Sequence, residues 1–192
     1  QTFFEPSDYS NYLGLLTEEC KKSNVEVWAY CLMPNHVHLI AVPATEDSLK
    51  EAIGRTHMRY TKRVNQRMER TGYLWQGRFA SFPMDETYLL ATARYVELNP
   101  VRANLVKCPE DFQWSSARHH LSLIDDPVIQ GSLLKEIVGN WNEFLTKSYD
   151  EKLDKKIGLS IRSGRPLGSD QFVSDLERRV GRTLQPQKPS PK

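Results

Sequence analysis

The sequence predicts an α+β fold, on the strength of three features. An apolar, β-forming stretch from Val25 to Met33 meets a second one from His36 to about Pro43 across the turn Pro34-Asn35, the pattern of an antiparallel hairpin. Amphipathic stretches at helical spacing lie on both sides of that hairpin. No internal repeat interrupts the arrangement, and 192 residues with 39% hydrophobic content suffice for one core plus an extension.

Residues 7–23 read as a helix, with Ser7 as N-cap, Tyr12, Leu13, Leu16 and Cys20 inward, and Lys21 and Lys22 near its C-terminal end. The hairpin follows. Its second strand sets Val37 and Leu39 on one face and His36 and His38 side by side on the other, because side chains two apart on a strand share a face. Asp47 or Ser48 caps the next helix, where Leu49, Ile53, Met58, Tyr60 and Val64 face inward and basic residues cover much of the rest. Gly72 to Pro83 reads as a glycine-interrupted strand exposing Tyr73, Trp75, Phe79 and Phe82 beside Arg78. Asp85 caps a helix from Glu86 to about Leu98 with Leu89, Ala93 and Val96 as its buried stripe. Weaker helical segments run from Ser132 to Val138 and from Trp141 to Ile157. Arg162 to Gly168 forms a basic turn, and a short helix runs from Asp170 to Val180. The predicted organisation is a domain over 1–124, a basic helical extension over 125–184 and a disordered tail over 185–192.

No run approaches the roughly 20 apolar residues that span a bilayer, and Gln1-Thr2-Phe3-Phe4 has no signal-peptide character, so a cytoplasmic protein without a membrane partner is expected. Cys20, Cys31 and Cys108 are too few and too scattered for a disulfide framework or a thiolate zinc site, and read as buried thiols. The net charge of +2 implies no nucleic-acid partner by itself, but its distribution does. Residues 48–70 carry seven basic side chains against Glu51 and Glu69, and residues 159–192 are similarly biased, the pattern of a chain that meets phosphate at chosen places.

Tyr88, Thr92, Tyr95 and Asn99 line one stripe of the helix that starts at Glu86. A tyrosine has a pKa of about 10, so covalent use of its hydroxyl requires a nearby cation or base. A divalent ion on His36 and His38 would polarise a phosphodiester, and Asn99 could give that ion an oxygen. Taken alone, these residues also admit plain readings. Histidines two apart are commonly surface residues, Tyr95 could be packing, an arginine-rich helix is usually a solvated face, and Asn99 before Pro100 is a standard helix start.

Met33-Pro34-Asn35-His36-Val37-His38 together with Arg94-Tyr95-Val96-Glu97-Leu98-Asn99-Pro100-Val101-Arg102-Ala103 resembles the single-tyrosine HUH transposases of the IS200-like type, specifically the REP-associated tyrosine transposases of bacteria. Trp75-Gln76-Gly77-Arg78-Phe79 and Trp114-Ser115-Ser116 are further matches, and Gly164-Arg165-Pro166-Leu167-Gly168 resembles the C-terminal segment of longer members. The resemblance implies a ferredoxin-like antiparallel sheet with packed helices. It also implies a metal-dependent single-strand DNA endonuclease and strand transferase that cuts hairpin-forming repetitive palindromes through a 5′-phosphotyrosine. By carry-over Tyr95 is the nucleophile, His36, His38 and Asn99 are ligands of Mg²⁺ or Mn²⁺, and Arg55, Arg59, Lys62, Arg63, Trp75, Arg78, Arg102 and Arg165 are expected DNA contacts. A nucleoid-associated monomer or homodimer is expected, with Tyr95 attacking in the same subunit or across a dimer. The first strand of the family fold is expected to be missing from this chain, since Gln1 stands almost directly before the first helix. Two rival classes remain open: a hairpin-binding repressor without turnover, and a hydrolase of small phosphoesters in which Tyr95 is structural. The latter fits poorly, because the carboxylate-rich ligand set of two-metal sites is absent from the motifs.

Overall fold

The computed structural model describes residues 1–131, 133–147 and 150–185. The predicted tail lies, from residue 186 on, outside the described residues. The fold is α+β: an antiparallel hairpin of β1 (Val25–Met33) and β2 (His36–Pro43) with helices before and after it. Two compact units divide the chain, one of residues 1–79 and 96–147, the other of residues 80–95 and 148–192.

In the first unit, α1 (Pro6–Lys22) and α2 (Ser48–Arg67) pack on each other and on the hairpin. Helix α1 starts one residue earlier than its sequence suggests, and Glu5 rather than Ser7 is its cap residue. The reason is Asp8, whose Oδ2 accepts the backbone N–H groups of Phe4 (2.9 Å) and Glu5 (3.3 Å), while Pro6 occupies the first turn where no N–H is needed. Ser7 instead donates to Glu5. The core between the helices and the hairpin is aromatic: Phe3 stacks on Tyr9 at 4.4 Å and meets the edge of Tyr12, and Tyr12 meets the edge of Tyr60. Each such fully buried ring contributes about 1.5–3 kcal/mol through its removal from water. Met58, expected inside, is 64% exposed, and Ala52 and Thr56 are buried instead.

The register of the hairpin changes parity once. A bulge between Val27 and Ala29 lets Val25 and Val27 on one side of it, and Tyr30 and Leu32 on the other, all join the core cluster. Val37, Leu39 and Ala41 of β2 pack against the same cluster. The opposite face therefore carries His36 paired with Met33 and His38 paired with Cys31. The outer edge of β1 takes one further short partner: Ser115 bridges Cys31, Leu32 N–H donates to Trp114 O, and Ser116 N–H donates to Tyr30 O. At the turn, the N–H groups of Thr2 and Phe3 both donate to Pro34 O and Thr2 Oγ1 donates to Asn35 O, which pins the bend that precedes the histidines.

The stretch from Gly72 to Pro83 is not a strand. Leu74, Trp75 and Phe79 pack against the core cluster, so the alternating aromatics satisfy themselves by burial on α1 and α2 rather than by a ladder. Helix α3 (Glu86–Glu97) passes through Leu98 straight into α4 (Asn99–Arg102). Leu98, in αR geometry, is the cap residue of α4, so Asn99 is its first residue and not its cap. The 3₁₀ turn Pro109–Asp111, α5 (Ala117–His120), α6 (Leu133–Val138) and α7 (Trp141–Thr146) complete this unit. Cys20 and Cys31 are buried free thiols, whereas Cys108 is exposed.

The second unit contains most of α3 together with α8 (Glu151–Ser163) and α9 (Asp170–Val180). The single helix expected from Trp141 to Ile157 is two, because Lys147 turns extended and Asp150 caps a new start by accepting from Lys152 N–H and Leu153 N–H. Gly164 closes α8 in the left-handed region (φ 67°). Leu167 then bridges Met84, and Gly168 sits where a Cβ would collide with the Phe172 ring. The Gly164–Gly168 motif thus ties the start of α3 to the start of α9, since Asp85 Oδ2 also accepts Ser169 N–H at 2.8 Å.

Candidate functional site

His36 and His38 come together as their spacing requires. Their Nε2 atoms are 2.9 Å apart and their rings meet edge to face. Two nitrogens at that separation subtend an angle of about 90° at an ion with bonds of roughly 2.1 Å, the angle between adjacent ligands of an octahedron. Asn35 Oδ1 lies 2.7 Å from His36 Nδ1, so that ring donates its Nδ1–H outward and keeps a lone pair on Nε2. His38 Nε2–H then closes the short contact, and a cation held by both rings requires that proton to move to His38 Nδ1. Burial lowers the pKa of both rings, that of His38 to about 4 with His36 adding to it, so both are neutral at physiological pH. Beside them, burial and secondarily the Glu97 carboxylate push the Cys31 thiol up, and its Sγ contacts Met33 Sδ at 3.6 Å. Cys31 is therefore a neutral neighbour rather than a thiolate.

Among the described residues no group of three His, Cys, Asp or Glu side chains is placed to hold a metal. The donor set nevertheless fits a hard or borderline divalent ion. Two neutral imidazoles leave the remaining positions to an amide, water and phosphate oxygens, and the buried Asn99 Nδ2 has no hydrogen-bond partner in the structure. An amide presents its oxygen in place of its nitrogen by a half-turn about its last bond. Asn99 belongs to α4, which packs on β1.

Tyr95 lies on α3, one turn before Asn99, and belongs to the second unit. Its hydroxyl approaches Gly158 of α8, where an added Cβ would stand at 3.7 Å, ordinary contact. Tyr88, two turns earlier, has Lys156 over its ring at 4.4 Å and accepts from Lys156 Nζ at 2.5 Å, so its hydroxyl is engaged by α8.

The basic candidates are placed unequally. Arg59 bridges to Glu18 (2.8 Å) and Glu19 of α1, which holds it to the helix pair. Arg55 lies 3.5 Å from Glu51, and Lys62, Arg63 and Arg78 are exposed. Arg102 is half-buried at the end of α4, and Arg165 is exposed in the second unit. Trp75 stacks on His57 at 3.9 Å and 14°, and its Nε1–H points to His57 O at 3.4 Å, so one face of the indole is already covered. The fully exposed aromatic of that segment is Tyr73, at 100%.

One residue of the site region escaped the sequence reading. Glu97, 0% exposed, accepts from Ser116 Oγ (2.5 Å) and His120 Nδ1 (2.5 Å) at Oε1 and from Trp141 Nε1–H (2.7 Å) at Oε2. Its one signal was position, between the candidate nucleophile Tyr95 and the candidate ligand Asn99.

The family described as "Transposase IS200 like" matches residues 1–99, which include the hairpin, α2 and α3. The chain belongs to the IS200-like transposase family. A Haemophilus influenzae protein named "Putative REP-associated tyrosine transposase" is 25% identical over 122 residues, 57% of this chain and 69% of that protein. No solved structure matches the chain at comparable stringency. Family membership makes DNA the general partner of this IS200-like transposase, and among the described residues no helix is long and apolar enough to cross a membrane.

Proposed function

We propose that this IS200-like transposase is a metal-dependent single-strand DNA endonuclease and strand transferase of the HUH type, acting at hairpin-forming repetitive extragenic palindromes. The observation that carries the reading is the His36–His38 pair, two neutral imidazoles whose Nε2 atoms stand 2.9 Å apart. The REP-associated name of the Haemophilus influenzae relative supports the choice of substrate.

Mg²⁺ or Mn²⁺ held by His36, His38 and Asn99 would polarise the scissile phosphate and offset its developing charge. The Tyr95 oxygen attacks phosphorus, the bond from phosphorus to the 3′ oxygen breaks, and that oxygen leaves with a proton as a free 3′-hydroxyl. The phenol proton is released as the new ester forms, and the other product is a 5′-phosphotyrosine. Attack by a second 3′-hydroxyl reverses the sequence and rejoins strands, with no net change in the number of phosphodiester bonds. Asn35 orients His36, while exposed Lys62, Arg63, Arg78 and Arg165 supply charge for the DNA backbone.

The test is incubation of the protein and a Tyr95→Phe variant with labelled single-stranded hairpin DNA and Mn²⁺, followed by a denaturing gel. A covalent adduct made by the wild type and lost with Tyr95→Phe or with chelator is the expected result. Cleavage without an adduct would overturn the tyrosine step, and tight binding without cleavage would make the protein a hairpin-binding repressor.

A further inference from the structure

Glu97 is an unusual residue to bury. A carboxylate removed from water loses several kcal/mol of hydration, and a network of this kind is often no more stabilising than apolar side chains of equal volume. What such a network supplies is direction, since each donor must point at a fixed oxygen. Here the donors come from three separate places: Ser116 just before α5, His120 at its end, and Trp141 at the start of α7. Ser116 extends the chain further, because its Oγ accepts Tyr30 N–H at 3.0 Å while its own N–H donates to Tyr30 O at 3.0 Å. Tyr30 directly precedes Cys31, the register partner of His38. The carboxylate therefore joins the last turn of α3 to the main chain of the strand that backs the histidine pair.

The next residue, Leu98, passes α3 into α4 without an extended residue, so the helical path from Glu97 to Asn99 is continuous. An anchored Glu97 consequently fixes where the Asn99 side chain departs from the backbone. All of these groups lie in the first unit.

We infer that Glu97 is a positioning residue, which acts through Asn99 to set the third ligand of the divalent ion. This rests on the metal reading proposed above. Partners that orient a ligand typically cost about 10–100-fold in metal affinity when removed.

The experiment is a Mn²⁺ titration of the full chain, read by the loss of the free-ion EPR signal, on the wild type, Glu97→Gln, Asn99→Ala and the double variant, with urea unfolding of each as the folding control. Glutamine keeps the volume of Glu97, but its amide NH₂ donates where a carboxylate oxygen accepted, so the three donors no longer all face an acceptor. Glu97→Gln should weaken Mn²⁺ binding by roughly tenfold or more. In the Asn99→Ala background the same change should have almost no further effect, a dependence that general loosening of the fold does not produce. Equal effects in both backgrounds, or wild-type affinity in a folded Glu97→Gln, would overturn the inference and leave the His36–His38 reading standing. Failure of the wild type to bind Mn²⁺ would overturn both. If Glu97→Gln does not fold, Trp141→Phe removes one donor at nearly constant volume and enters the same cycle, with a smaller loss expected and the same dependence on Asn99.

Discussion

Acid should loosen this protein through His57 before it reaches the carboxylates. The His57 ring is stacked on Trp75 at 3.9 Å, and its Nε2 lies 3.0 Å from the hydroxyl of fully buried Tyr12. Burial lowers its pKa from 6.5 to about 4. The unfolded chain therefore takes up a proton as pH falls below about 6.5 while the native chain does not, so stability is complete above that value and drains away down to about pH 4. The gap corresponds to about 3 kcal/mol at most, a large fraction of the net stability of a domain. His36, His38 and His119, whose pKa values are also lowered, contribute in the same direction, so the term is isolated by comparison with His57→Phe, which keeps a ring against Trp75 and cannot titrate. Asp8 falls outside this window. Burial works to raise its pKa, but the Arg67 hydrogen bond and the Phe4 and Glu5 N–H groups together hold it below 3.8, so its contribution is lost only in stronger acid. Urea unfolding at several pH values from neutrality to about 4 should show the wild type losing up to about 3 kcal/mol more than His57→Phe. Parallel stability curves for the two proteins would refute the reasoning.

Tyr73→Ala should leave the unfolding midpoint within about 0.5 kcal/mol of wild type and, if a base stacks on that ring, weaken binding of single-stranded hairpin DNA by about 1–3 kcal/mol in a filter-binding or anisotropy assay. Trp75→Ala should do the reverse first, costing about 3 kcal/mol of stability because it strips the cover from His57 and the Tyr12–Tyr60 cluster. Asp8→Ala should lower stability by about 2 kcal/mol or more in urea unfolding, since it orphans two N–H groups at the start of α1 and leaves Arg67 with Glu5 alone. His38→Ala should abolish detectable Mn²⁺ binding by calorimetry without loss of far-ultraviolet helical signal, because the ring lies off the core face of β2.

The hairpin was legible because strand alternation and a Pro-Asn turn are local signals, and the pairing of His36 with His38 follows from the two-residue period alone. Helix α9 was legible as a short helix, and in the structure Ser169 caps its start and Gly181 ends it. Met58 was misplaced although it stands two residues from Tyr60, about 200° round the helix and so on the opposite side. The segment around Trp75 imitates a strand because Tyr73, Trp75 and Phe79 fall at even spacing, and only the presence of α1 and α2 decides that Trp75 and Phe79 turn inward. Glu97 was hidden for a different reason. A glutamate on a helix looks solvated until Ser116, His120 and Trp141, up to 44 residues away, are brought to it. The bulge at Trp28 was equally silent, because apolar residues on both sides of it mask the change of parity.

The boundary between the two units falls inside α3, between Tyr95 and Val96, which orders events during synthesis. Residues 80–95 leave the ribosome more than fifty residues ahead of α8 and α9, the helices that complete their unit. For that interval Asp85 and Tyr88 must wait without Ser169 and Lys156, their eventual partners. A nascent chain halted after α7 would therefore carry a finished hairpin and an unsheltered tyrosine helix, the kind of intermediate that chaperones retain. Helices α8 and α9 are thus the segments whose synthesis releases this unit from surveillance, and premature stop codons between α7 and α9 should yield chains that are degraded rather than merely shortened.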